Sequence, residues 1–146
     1  MKGIVVGVDG SAGAVDALRF AIEEARLHGA TVKAVNAWHI PPAAYGAGWA
    51  PAVADFEGYA KIATAGLEKS LEEAGAAESG VTVTTAVREG IPARVLCKEA
   101  QGADLLVVGS RGLGGFKGML IGSVSQQCAH HAPCPVVIVP AKHDSA

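Results

Sequence analysis

Apolar, β-branched runs alternate with helical patterns along the chain. GIVVGVD reads as a strand, AVDALRFAIEEARLHG as a helix, TVKAVNAW as a strand, and DFEGYAKIATAGLEKSLEEAGA, after a long connection, as a second helix. VTVTTAV is then strand, IPARVLCKEAQ helix, DLLVVG strand, SVSQQCAHHA helix and PVVIV strand. Short apolar runs joined by helical crossovers predict an α/β fold, an open doubly wound sheet of five parallel strands with about four helices on its two faces.

The first helix shows its buried face most plainly. Val15, Leu18, Ala21, Ile22 and Ala25 recur at steps of three and four, while Arg19, Glu23, Glu24 and Arg26 fall elsewhere. Ser11 is placed to cap its start and Gly29 to end it in the left-handed conformation. The third helix opens at Pro92, where a missing amide hydrogen costs nothing. The connection from His39 to Ala54 is rich in Pro, Gly and Ala and long for a compact domain, a length usually reserved for function or disorder. Without an internal repeat, 146 residues are expected to form one domain over 1–141 with a short frayed tail, 142–146.

Composition narrows the partners. Half of the residues are hydrophobic, so a packed core is expected. The net charge is −2 and the twelve basic residues are scattered, which removes the electrostatic case for nucleic acid or an anionic membrane. The start, MKGIVVGVDGSAG, holds only a short apolar run, far below a signal-peptide core or a membrane span, so the expected location is cytoplasmic. Cys97, Cys128 and Cys134 form no even framework and are expected as reduced thiols.

In an open parallel sheet, ligands bind beyond the carboxyl ends of the strands where strand order reverses. Three segments reach that edge: GVDGSAG, the long loop, and GSRGLGGFKGMLIGS from Gly109 to Ser123. The last holds six glycines in fifteen residues but fits neither common phosphate motif. Its only lysine, Lys117, lies in FKG rather than in a Walker A context, and from Gly112 and Gly114 the third glycine of GxGxxG would fall on Lys117. In GVDGSAG the place of a dinucleotide motif's second glycine is held by Asp9, whose carboxylate would repel a pyrophosphate. Asp9 suits ribose hydroxyls or a base amine, because a carboxylate only accepts; it also suits a plain Asp-Gly turn. The glycine loop suits an anion, offering uncrowded amides, the Ser123 hydroxyl and a helix N-terminus. A base or ribose at one end and phosphate at the other describe a nucleotide. Arg111 and Lys117 are candidate phosphate donors or merely solvated loop cations. Tyr45 and Trp49 are candidates to fold over a base, and CAHHAPC, Cys128 to Cys134, is weighed as a zinc site against a simple helix end.

The spacing Gly109, two residues, Gly112, nine residues, Gly122 and Ser123 resembles the ATP-binding signature of the universal stress protein family. VVGVDGSAGAVDAL at the start, GIP before the third helix and GSVSQQCAHHAPCPVVIV at the end extend the likeness over nearly the whole chain. The resemblance implies a Rossmann-like, adenine nucleotide alpha-hydrolase-like sheet of order 3-2-1-4-5 with ATP in the crevice. It implies that Asp9 binds the adenosine part and the backbone of Ala37 reads the adenine edge. Gly109, Gly112, Gly122 and Ser123 would cradle ribose and phosphates, with Val124 and Ser125 supplying amides or a hydroxyl. It further implies a homodimer formed through the last strand, Val136 to Val139. Asn36 and Ala37 are mild variants of the family's usual end of the second strand.

Binding is better provided for than catalysis. Phosphoryl transfer needs a held metal, a positioned nucleophile and charge stabilisation. Ser123 could meet Mg²⁺, and Asp9 could help if the phosphates fold back, yet no Asp or Glu lies between Asp104 and Asp144. The expected function is therefore ATP-dependent regulation in a stress response with at most slow turnover. A slow ATPase or self-phosphorylating enzyme, and an interaction module for AMP or a cyclic nucleotide, remain as alternatives.

Overall fold

The computed structural model describes residues 1–39, 56–111 and 121–140. Within them five strands and four α-helices alternate. They are β1 (Gly3–Gly7), α1 (Ala12–His28), β2 (Thr31–Trp38), α2 (Phe56–Glu73), β3 (Val83–Glu89), α3 (Pro92–Glu99), β4 (Leu105–Gly109), α4 (Ser123–His131) and β5 (Val136–Val139), with a single 3₁₀ turn at Ala76–Glu78. The strands form one sheet in the order β3-β2-β1-β4-β5, every pairing parallel, as the resemblance implies. The calls at 40–54 and at the tail lie outside the described residues.

Alternation within each apolar strand feeds two cores, because successive side chains point to opposite faces. Ile4, Val6, Val32 and Val107 meet α1 and α2 on one face, with Leu18 wholly buried. Val5, Val35 and Leu106 meet α3 and α4 on the other, around Leu96 and Cys128. Burying one such Leu, Ile or Val contributes about 1.5–3 kcal/mol, so the near-continuous apolar runs reflect strands covered on both sides.

The local signals act as expected at α1 and α3. Ser11 Oγ accepts from Ala14 N at 3.2 Å, Gly29 closes α1 at φ +65°, and Pro92 opens α3. β3 runs two residues beyond the apolar stretch VTVTTAV, because parallel pairing with β2 continues to Trp38 opposite Glu89. Arg88 and Glu89 are exposed there, so an edge strand carries polar residues at no desolvation cost.

Candidate nucleotide site

At the carboxyl edge of the sheet, β1 lies between β2 and β4, and the chain leaves it in opposite directions on its two sides. That switch point opens a cavity of about 810 Å³, within the range of small-molecule sites. Its floor begins at the end of β1. Val8 N donates to Val35 O at 2.8 Å, extending the ladder one residue past the strand. Gly10 then takes φ +90°, a conformation that favours glycine. Asp9 Oδ1 accepts from Ser11 N at 2.9 Å and from Ser11 Oγ at 2.6 Å. Asp9 therefore builds the turn that starts α1 while lining the cavity.

The opposite wall is the passage from β4 into α4. Ser110 N donates to Val139 O at 2.8 Å, and Gly122 N donates to Ser110 O, which brings the two ends of the glycine loop together. Gly122, not Ser123, is the N-cap of α4, and it offers no side-chain cap. Ser123 is thus the first helical residue. The first intrahelical bond runs from Gln126 N to Gly122 O, so the preceding N–H groups at Ser123, Val124 and Ser125 form the donor end of the helix. The buried Ser125 hydroxyl is engaged by Ser110 O at 3.2 Å and Gly122 O at 3.0 Å, to which it donates. It locks the loop closure, which leaves the Ser125 amide rather than its hydroxyl as the group available to an anion.

Gly109 has a packing reason for its missing side chain. A Cβ there would lie 3.1 Å from Gly13 O, and a Cβ on Gly13 would lie 3.1 Å from Arg111 O. The first turn of α1 and the end of β4 interlock backbone to backbone, holding the two polar rims of the cavity at a fixed spacing.

The remaining wall is assembled by β2 and α2. Asn36 is buried and donates from Nδ2 to Val8 O at 2.9 Å, tying the tips of β2 and β1 together. Ala37 and Trp38 follow on the cavity wall. The Trp38 ring lies parallel to Tyr59, with centroids 6.2 Å apart and an interplanar angle of 5°, and edge-on to Phe56 at 6.0 Å. Tyr59, Ile62, Ala63 and Gly66 form one stripe of α2 facing the cavity, and Leu96 of α3 closes the floor. This aromatic and apolar wall is the part that sequence reasoning missed. Its signal was the 59, 62, 63, 66 spacing, which reads equally well as an ordinary core-facing helix.

Of the residues singled out in the sequence, Asp9, Ala37, Gly109, Arg111, Gly122, Ser123, Val124 and Ser125 all line this one cavity. Gly112, Lys117, Tyr45 and Trp49 lie outside the described residues. Among the described lining residues Asp9 is the sole carboxylate and Arg111 the sole arginine or lysine. The cysteine and histidine segment falls elsewhere. Cys128 is fully buried while His130 and His131 are exposed, and no group of three or more His, Cys, Asp or Glu among the described residues is arranged to hold a metal. Nor is any described helix long and apolar enough to cross a membrane.

Comparison with known proteins gives this geometry relatives. A universal stress protein of Mycolicibacterium smegmatis is 35% identical over 149 residues, covering 98% of this chain and 51% of that protein. The chain spans about half the length of the first curated relatives it matches. The solved universal stress protein UspA from Lactobacillus plantarum superposes with a TM-score of 0.78 at 25% identity, covering 94% of this chain and 97% of that one. A universal stress protein solved in complex with cAMP superposes with a TM-score of 0.67 at 28% identity, covering 99% and 98%. The model of the universal stress protein family matches residues 1–140, and the chain belongs to that family.

Proposed function

We propose that the chain binds ATP in the switch-point cavity and acts as a nucleotide-dependent regulatory protein of a stress response, with at most slow turnover. The observation that carries this reading is the polarity of the cavity. A helix donor end at Ser123–Ser125 faces the same space as a carboxylate at Asp9 and an apolar, aromatic wall at Trp38 and Tyr59. Phosphates are drawn to the helix N-terminus and to Arg111, ribose hydroxyls donate to Asp9, and the Ala37 backbone reads the base. Mg²⁺ would ride mainly on the phosphates, with the Ser123 hydroxyl and Asp9 as the nearest protein oxygens. Slow turnover follows from the carboxylate inventory, because Asp9 is already engaged by Ser11 and no second carboxylate stands among the described lining residues as a base. A cytoplasmic location and a homodimer through β5 belong to the same reading.

A second reading, AMP or a cyclic nucleotide as the resident ligand, is favoured by the relative solved with cAMP. Calorimetric titration with ATP, AMP and cAMP separates the two. The ATP reading expects micromolar affinity for ATP and weaker binding of AMP, since the helix N-terminus rewards each added phosphate; equal or tighter binding of AMP or cAMP shifts the assignment, and no heat with any of the three ends it.

A further inference from the structure

The second core of the sheet contains a group of thiols that the nucleotide site does not use. Cys97 lies in the last turn of α3 and Cys128 in the middle of α4, two helices that pack side by side on the same face. Cys97 packs against the apolar cluster in which Cys128 is buried, so the two thiols meet between the paired helices. Cys134, just before β5, packs into the same apolar cluster. All three are free, with Cys97 and Cys134 half-exposed and Cys128 wholly buried. Cys97 is therefore the accessible member of this pair and Cys128 the enclosed one.

We propose that Cys97 and Cys128 are a peroxide-responsive pair, with Cys97 the site of attack and Cys128 the resolving thiol, whose disulfide staples α3 to α4. The Cys97 thiolate attacks one oxygen of hydrogen peroxide and the O–O bond breaks. Sulfur is oxidised to the sulfenic acid, and the departing hydroxide takes up a proton and leaves as water. The Cys128 sulfur then attacks the Cys97 sulfur and the S–O bond breaks. The Cys128 proton passes to the departing hydroxide, giving a second water and the disulfide. Burial pushes the Cys128 thiol up to about 12 and its neighbour Cys97 adds to the shift, which keeps Cys128 protonated and unreactive toward outside oxidants.

The staple bears on the cavity because both thiols sit beside its walls. Leu96, next to Cys97, and Ser125, three residues before Cys128 on α4, both line it. A disulfide requires the sulfurs to close to about 2.05 Å, which draws the two helices together at that level. The Ser125 hydroxyl that ties α4 to Ser110, just beyond β4, moves with α4. This coupling rests on the nucleotide reading, whereas the disulfide itself does not.

The test uses the full chain, reduced and then exposed to hydrogen peroxide, digested without reductant and mapped by mass spectrometry. A linked Cys97–Cys128 peptide pair is expected in the wild type and in Cys134→Ser, and its absence in Cys97→Ser and in Cys128→Ala. A Cys97–Cys134 link, a disulfide between two chains through Cys97, or Cys97 sulfinic acid with Cys128 unchanged would each overturn the pairing. In parallel titrations the oxidised wild type is expected to bind ATP about fivefold or more weakly, with recovery on reduction. Cys128→Ala is expected to bind ATP as the reduced wild type does, before and after peroxide. A linked pair with unchanged ATP affinity overturns the coupling. Reduced protein that binds no ATP overturns the nucleotide reading, while the peptide map still decides the disulfide.

Discussion

Gly109 shows how a residue chosen for one reason in the sequence can hold its place for another in the fold. Its spacing marks it as part of a phosphate signature, yet a Cβ there would press to 3.1 Å on the Gly13 carbonyl oxygen. Gly109→Ala is therefore expected to cost about 1–3 kcal/mol by overpacking, seen as a lower Tm, before any effect on ligand is considered. Retention of wild-type Tm with loss of nucleotide binding would instead assign the glycine to the ligand alone. Cys128 carries a second prediction at this scale. Desolvation raises its thiol to about 12, with Cys97 contributing, whereas in the unfolded chain it titrates in the usual thiol range near 8.5. Between those values the folded state keeps a proton that the unfolded state has lost, so this contribution to stability is full below the unfolded pKa and fades as pH rises toward the folded one. Urea midpoints at about pH 8 and about pH 10.5 should fall more steeply for the reduced wild type than for Cys128→Ala. Equal slopes would refute the assignment. Asp104 behaves in the opposite sense. Its carboxyl accepts from Gly3 N and Lys2 N, which holds its pKa below the ordinary value, so its contribution is lost only as pH falls through the acid range.

Among the elements, α4 has the most direct bearing on function, because its first turn has no side-chain cap and faces the cavity. Ser123→Asp separates its structural role from its binding role. A carboxylate at the first helical position complements the helix dipole and should stabilise by about 0.3–1 kcal/mol. The same charge repels phosphate, and loss of a charge-assisted contact of about 1.5–3 kcal/mol predicts roughly tenfold or greater weakening of ATP binding, with adenosine little affected. A higher Tm with unchanged ATP affinity would remove the phosphates from α4. Helix α2 teaches the complementary lesson. Its stripe at Tyr59, Ile62, Ala63 and Gly66 was visible as periodicity, but periodicity reports only that a face is covered, not whether protein or ligand covers it. Ile62, 74% exposed at the rim of the cavity, is the residue at which the two differ.

At the scale of the molecule, the sheet was legible because its five apolar runs are separated by patterned helices with clear starts at Ser11 and Pro92. The strand order was legible only through the resemblance, since periodicity carries no information on which strands are neighbours. The polar residues that line the cavity were legible as a group because they fall at strand ends, although Gly109 and Asp9 also serve packing and the turn into α1. The aromatic wall was not, because Trp38 and Tyr59 meet only when β2 and α2 fold together. The order of the strands also leaves β5 at an edge, paired with β4 on one side. Its four residues are half-buried, with Val137 and Val139 packed toward one core and Val136 and Ile138 toward the other. An apolar strand of this kind, unpaired on its outer edge by any described strand, is a template for a second copy, and pairing Val136–Val139 across a two-fold axis would cover it. Light scattering of the wild type is expected to give the mass of a dimer, and Val137→Lys to shift it toward monomer while circular dichroism keeps the α/β signature. Wild-type protein that runs as a monomer across the micromolar range would show that this edge is protected by its own short length rather than by a partner.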